Sequence, residues 1–188
     1  MDDQGRLHLK ITNRNDNWYC PEVHTLKSLG FGQYTFTVEP LPQVLDKDVV
    51  VGMFLYDHDD KANSHNEVDI EISQWGDTGK ANSQFVVQPF EDKTHRFHYD
   101  VSQKSWHSFS VYLRRIKFES WLEKSVDGKT VRHSLAKHKQ SLGRILNPSG
   151  TRVYLNLWLF KSIEPFNLKE FEVIVSDFSF KPFNIPNP

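Results

Sequence analysis

The stretch "HNEVDIEISQW", residues 65–75, sets Glu67, Asp69 and Glu71 at every second position, interleaved with Val68, Ile70 and Ile72. A β-branched run of this kind reads as a strand, whose successive side chains point to opposite faces. The aliphatic set then covers one face, and three carboxylates crowd the other. Like charges at that spacing repel, so the arrangement costs stability unless something uses it. The plain alternative is the solvated face of an amphipathic strand. Exposed strand faces, however, usually mix Thr, Lys and Ser with their acids, whereas clustered acids mark functional sites.

On either side of this segment the chain reads as short strands separated by turn signals, the pattern of a sandwich or barrel. Upstream lie "RLHLKIT", a strand over 33–39 entered through Gly30 and Gly32, and the near-continuously apolar "DVVVGMFLYD". The last of these predicts a buried central strand, with Gly52 allowing a bend or a close approach. Downstream follow "SQFVVQPF", "RFHYDV", "WHSFSVYL", "IKFESWL", "VYLNLWLF" and "FEVIVSDFSFKPF". Residues 134–145, "SLAKHKQSLGRI", predict a short helix. No internal repeat or low-complexity linker divides the 188 residues, which predicts one domain over 1–188. Strand-like alternation begins at Leu7. Either the first strand starts there, or an upstream part of the domain is missing.

Charge is balanced, with 23 Lys and Arg against 24 Asp and Glu, which argues against a nucleic-acid binder relying on bulk positive charge. No apolar run is long enough to span a membrane. Cys20 is the only cysteine, so no internal disulfide forms. Aromatic residues make up 13% of the chain. They suit a β-rich core, and exposed ring faces also serve as platforms for sugars.

A strand rises about 3.4 Å per residue, so Glu67 and Glu71 stand about 13 Å apart at Cα, and side chains leaning together bring the carboxyls to about 5 Å. Retaining glycosidases need about 5–5.5 Å between nucleophile and acid/base. Asp69 then hydrogen-bonds one glutamate and helps divide the protonation states. Metal binding is the rival chemistry, given "DHDD" at 57–60 and His65. The loop lacks the glycine of the helix–loop–helix calcium pattern, and a zinc site needs converging ligands beyond His58 and His65. No metal and no cofactor are expected.

The sequence resembles glycoside hydrolase family 16, which includes lichenases, laminarinases, agarases, carrageenases and xyloglucan transglycosylases. Its E-[ILV]-D-[IFV]-E hallmark is matched by "EVDIE" at 67–71. "GFGQYTF", "VVVGMFLYD", "NSQFVVQP", "WHSFSVYL" and "VYLNLWLF" resemble the surrounding strands in order, from about Gly5 to Phe183. The resemblance implies an all-β, concanavalin-type jelly roll of two curved antiparallel sheets with a concave cleft. It also implies that Glu67 is the nucleophile, Glu71 the acid/base and Asp69 the auxiliary acid. Alternation nominates the same three residues but does not say which glutamate attacks.

Parity nominates substrate-binding residues. Ser73 and Trp75 share the acid face if that strand continues, which makes Trp75 a sugar platform. Tyr154, Asn156 and Trp158 share one face of "VYLNLWLF", and Asn156 and Trp158 line the cleft. Gln84 and Gln88 match in parity as donors to sugar hydroxyls. Trp18 and Trp106 are weaker candidates. Core filling is the alternative reading of Trp75 and Trp158. The chain departs from the family at position 113, which often carries Trp, at Val86, where many members are polar, and before "GRLHLKI", where another strand is usual. Asp177 lies near the place of one structural calcium ligand in some members.

The expected function is a retaining endo-β-glycanase acting on a polysaccharide or oligosaccharide, with transglycosylation open. The alternatives are a non-catalytic carbohydrate-binding module and an interaction domain with a vestigial cleft. Neither nucleic acid nor membrane insertion is expected. The substrate class implies an extracellular or periplasmic location. The polymer and the oligomeric state are left open.

Overall fold

The computed structural model describes residues 1–41, 44–79, 81–101, 106–112, 116–141 and 146–183. Its strands are β1 Leu7–Arg14, β2 Asn17–Tyr19, β3 Glu22–His24, β4 Gly32–Val38, β5 Val49–Tyr56, β6 Val68–Ile72 and β7 Ser83–Val87. They continue as β8 Arg96–Tyr99, β9 Trp106–Tyr112, β10 Lys117–Val126, β11 Lys129–Lys139, β12 Arg152–Leu159 and β13 Phe171–Pro182. Two sheets result, in the orders β11-β10-β9-β4-β13-β1-β2 and β3-β12-β5-β6-β7-β8. Every pairing is antiparallel. The fold is the expected jelly-roll sandwich.

Each sheet sends alternate side chains into the space between the two. Val51, Met53 and Leu55 of β5, Val68, Ile70 and Ile72 of β6, and Leu155, Leu157 and Leu159 of β12 enter from the six-stranded sheet. Leu9 and Ile11 of β1, Tyr34, Phe36 and Val38 of β4, and Val173 and Val175 of β13 meet them from the other. Phe85 of β7 is fully buried and stacks on Phe118 of β10, with ring centroids 4.8 Å apart and planes inclined by 11°. That stack crosses the interface between the sheets. The opposite face of the six-stranded sheet is left for the acids.

The structure corrects one expectation. Residues 134–139 are not helical but form the end of β11. β11 is a sheet edge with a single buried side chain, Ala136, so it carries no period-two apolar signal. Residues 142–145, position 113 and the Trp106 side chain lie outside the described residues. No described helix is long and apolar enough to cross a membrane.

Phe85→Ala removes the ring that joins the two sheets at β7, and a buried Phe→Ala change typically costs about 3–5 kcal/mol. Urea unfolding of this variant should show a loss of that size, with the m-value unchanged.

Candidate active site

β6 delivers the acids as alternation demands. Register sets Asp69 opposite Phe54 of β5 and Val86 of β7, and Glu71 opposite Gly52 and Gln84. Glu67 lies one residue before β6, where its N–H donates to Ser64 O at 3.2 Å and its carbonyl accepts from Gln88 N at 3.1 Å. All three side chains therefore emerge on the open face, away from the core.

The backbone entering this strand is unusual. Ser64, His65 and Asn66 have φ of 49°, 56° and 48°, three successive residues in the left-handed region. Each costs roughly 1 kcal/mol or more, so neighbours have to hold them. Asp60 accepts from His65 N at 2.8 Å and from Asn66 Nδ2 at 2.5 Å. Asp57 N donates to His65 O at 2.7 Å, and the His65 Nδ1 lies 2.9 Å from Asp57 O. The imidazole stacks on Tyr56, with centroids 4.6 Å apart and planes at 17°. The "DHDD" loop thus serves as a set of acceptors that hold the turn ahead of Glu67. Among the described residues, no group of three or more His, Cys, Asp or Glu is placed to hold a metal ion.

The three carboxyls titrate differently. Burial raises Asp69 well above its ordinary value, and the charges of Glu67 and Glu71 raise it further. A hydrogen bond between Asp69 and Glu67 raises Asp69 further and lowers Glu67. Burial also raises Glu67, but that hydrogen bond and the nearby His65 pull it back down. Burial pushes Glu71 up to about 7, with Gln84 opposing and the Glu67 charge assisting. Both glutamates are raised by burial; the Asp69 hydrogen bond and His65 limit the rise at Glu67, and Glu71 reaches about 7.

The nominated binding residues fall into two groups. Gln84 and Gln88 reach the acids themselves. Gln84 Nε2 donates to Glu71 Oε2 at 2.5 Å, and Gln88 Nε2 donates to Asp69 Oδ2 at 3.2 Å. Gln88 Oε1 also accepts from Phe90 N at 2.8 Å. Here the amides solvate the buried acids, a demand that parity alone does not reveal. Asn156 and Trp158 do lie on the open face of β12, opposite Gly52 and Val50. Trp75 arrives by another route, because β6 ends at Ile72 and Trp75 sits in a turn at φ 44°. Ser73 is buried and accepts from Trp75 N at 3.0 Å. The indole meets His98 of β8 edge-on at 6.0 Å.

Glu22 is a fourth carboxylate on this face. It pairs in register with Asn156 and accepts from Asn156 Nδ2 at 3.2 Å. That bond aims Asn156 Oδ1 back over Gly52, where the oxygen is buried with no partner. A Cβ on Gly52 would lie 2.3 Å from it. The glycine is a vacated place through which Asn156 extends toward Glu71. Phe54, Tyr56, Tyr154 and His24 form a connected set of rings on the same face. Sequence reading overlooked Phe54 and Tyr56 because β5 is apolar on both faces. Their shared parity with Gly52 was the signal. It likewise overlooked Glu22 and His24, which occupy a three-residue edge strand.

Matching against protein families assigns residues 1–164 to "Glycosyl hydrolases family 16". The chain belongs to glycosyl hydrolase family 16. No curated protein sequence matches it. Among solved structures it is similar to a Bacillus licheniformis beta-glucanase, at TM-score 0.64 and 16% identity, covering 97% of this chain and 81% of that one. A Bacteroides ovatus family 16 protein in complex with a glucan product has TM-score 0.63 and 13% identity, covering 96% and 83%. A Mycobacterium tuberculosis protein described as a pseudo beta-1,3-glucanase has TM-score 0.60 and 16% identity, covering 93% and 74%. At these identities the structural likeness establishes the jelly roll alone.

Two outcomes follow from the family 16 site geometry. Gly52→Ala sets a Cβ 2.3 Å from Asn156 Oδ1 and should push Asn156 off its position, lowering any activity at least about tenfold and the urea midpoint along with it. Comparing kcat/KM with the urea midpoint checks this. Burial lifts Glu71 from an ordinary 4.5 to about 7, so the unfolded chain releases this proton first as pH rises. Stability therefore falls between those values and levels off above them. Glu71→Gln should escape this loss, gaining on the order of 1–3 kcal/mol relative to the parent between about pH 4.5 and 8. Denaturation at both pH values measures it.

Proposed function

We propose that this chain is an endo-acting, retaining β-glycanase working by double displacement. The observation that carries the reading is one row of three carboxyls on the open face of the sheet in unequal surroundings: Gln84 bonds Glu71, which burial lifts to about 7, and Gln88 bonds Asp69, which burial also raises. In the first step Glu67 attacks the anomeric carbon while Glu71 gives its proton to the departing glycosidic oxygen. The bond to the leaving sugar breaks as the glycosyl–Glu67 ester forms. Glu71, now ionised, takes a proton from an incoming water, whose oxygen displaces Glu67 and regenerates both groups. A sugar hydroxyl in place of that water gives transglycosylation. The strand spacing of about 5 Å between carboxyls suits this course rather than inversion, which needs a gap of about 6.5–9.5 Å for water.

Gln84 keeps Glu71 from rising too far to release its proton, and Gln88 anchors the auxiliary acid. Trp75, Trp158, Tyr154 and Asn156 supply ring faces and polar atoms for the glycan on either side. The substrate class supports an extracellular or periplasmic location.

The test is oligosaccharide release from β-glucans, xyloglucan, agarose and carrageenan, with products separated by size. The parent should release products from at least one polymer, with activity falling as pH rises through about 7 because Glu71 must be protonated. Glu67→Gln should lose at least about a thousandfold, as expected when a nucleophile is removed. Retention on a polymer without release would instead support a non-catalytic carbohydrate-binding domain.

A further inference from the structure

Arg96 opens β8, the edge strand of the acid-bearing sheet. Register sets it opposite Val86, which in turn faces Asp69, so all three occupy one row of the open face. Neighbouring strands lie about 4.8 Å apart, which puts the Arg96 backbone about 9–10 Å from that of Asp69. On this face β7 and β8 present Gln84, Val86, Gln88, Arg96 and His98, with no carboxylate among them. Among the described residues no carboxylate pairs with Arg96, and its guanidinium lies over the Phe90 ring at 5.8 Å.

Its Nε is buried and has no acceptor. A buried N–H without a partner is costly and uncommon. Its row neighbour Val86 offers no polar side chain, and the Gln88 amide is engaged with Asp69 and Phe90 N. Arg96 is thus a permanent charge with a planar fork of donors, two strands from an acid row to which it is not bonded. A guanidinium fork is matched best by a two-oxygen anion, since a neutral hydroxyl satisfies one donor at a time.

We propose that Arg96 forms a subsite for an anionic substituent, a sulfate ester or a carboxylate, on a sugar of the bound glycan. The inference rests on the reading of this face as a glycan cleft and names a substrate class for it. The acid row does not forbid such a ligand. Burial holds Asp69, the carboxyl in Arg96's own row, well above its ordinary value, which weakens the negative charge there.

Affinity electrophoresis of the full chain carrying Glu67→Gln, which halts turnover, tests it with paired polymers: laminarin, its sulfated ester and its C6-carboxylated form, and agarose beside carrageenan. One charged form should retard the chain roughly tenfold more strongly than its neutral partner, the worth of one charge-assisted pair. The sulfated and carboxylated arms say which anion is read. Adding Arg96→Gln should abolish the excess and leave retardation by the neutral polymer in place, whereas Lys129→Gln on the other sheet should change nothing. Arg96→Lys, which keeps the charge and loses the fork, should lose most of the excess, and it stands in if the Gln variant fails to fold. Equal retardation by charged and neutral forms overturns the proposal, as does an excess that survives Arg96→Gln or an absence of retardation by every polymer. Release of sugars from a neutral polymer by the parent, with no charge preference, would sink this inference and leave the hydrolase reading intact. A charge preference that depends on Arg96 without release would do the reverse.

Discussion

A strand sealed on one side against a second sheet can offer chemistry only on the other, and β6 meets that constraint in five residues. Val68, Ile70 and Ile72 tie it into the core, so the acids between them cannot turn away from one another to relieve their repulsion. Burial, with that repulsion adding to it, raises all three acids: Asp69 goes well above its ordinary value, Glu71 reaches about 7, and the Asp69 hydrogen bond and His65 limit the rise at Glu67. The difference between two chemically identical glutamates thus follows from where a strand puts its side chains.

The rest of the six-stranded sheet is arranged around that row. Gln84 and Gln88 on one side provide the N–H groups that buried carboxyls require. Gly52 on the other side removes a side chain so that Asn156 can lie across it. Ahead of the row, a turn with three left-handed residues fixes the direction from which Glu67 enters. The backbone groups of Asp57 and Asp60 and the Asp60 carboxylate that hold this turn share a loop with His58.

Much of this was legible in the sequence wherever one face of a strand was apolar and the other was not. β6 and β12 are such strands, and the acid triplet, Asn156 and Trp158 were assigned to the correct face by parity alone. Legibility failed where that contrast was missing. β5 is apolar throughout, which concealed Phe54 and Tyr56. β11 is polar nearly throughout, which let "SLAKHK" pass for helix. Trp75 reaches His98 through a backbone turn, not through strand alternation, and the glutamines bond to the acids because of buried charge, a three-dimensional quantity. The left-handed turn has no glycine to announce it, since its residues are held by hydrogen bonds from eight residues earlier in the chain and fewer.

The glycine at position 52 and the asparagine at position 156 share a single volume. One strand gives up a side chain, and the neighbouring strand fills the space with an amide that Glu22 keeps from turning over. Neither position therefore has an independent tolerance. A residue acceptable at 52 is defined by what stands at 156, and enlarging one requires shortening the other. Through Glu22, this shared volume links the edge strand of the sheet to the floor of the cleft beside Glu71.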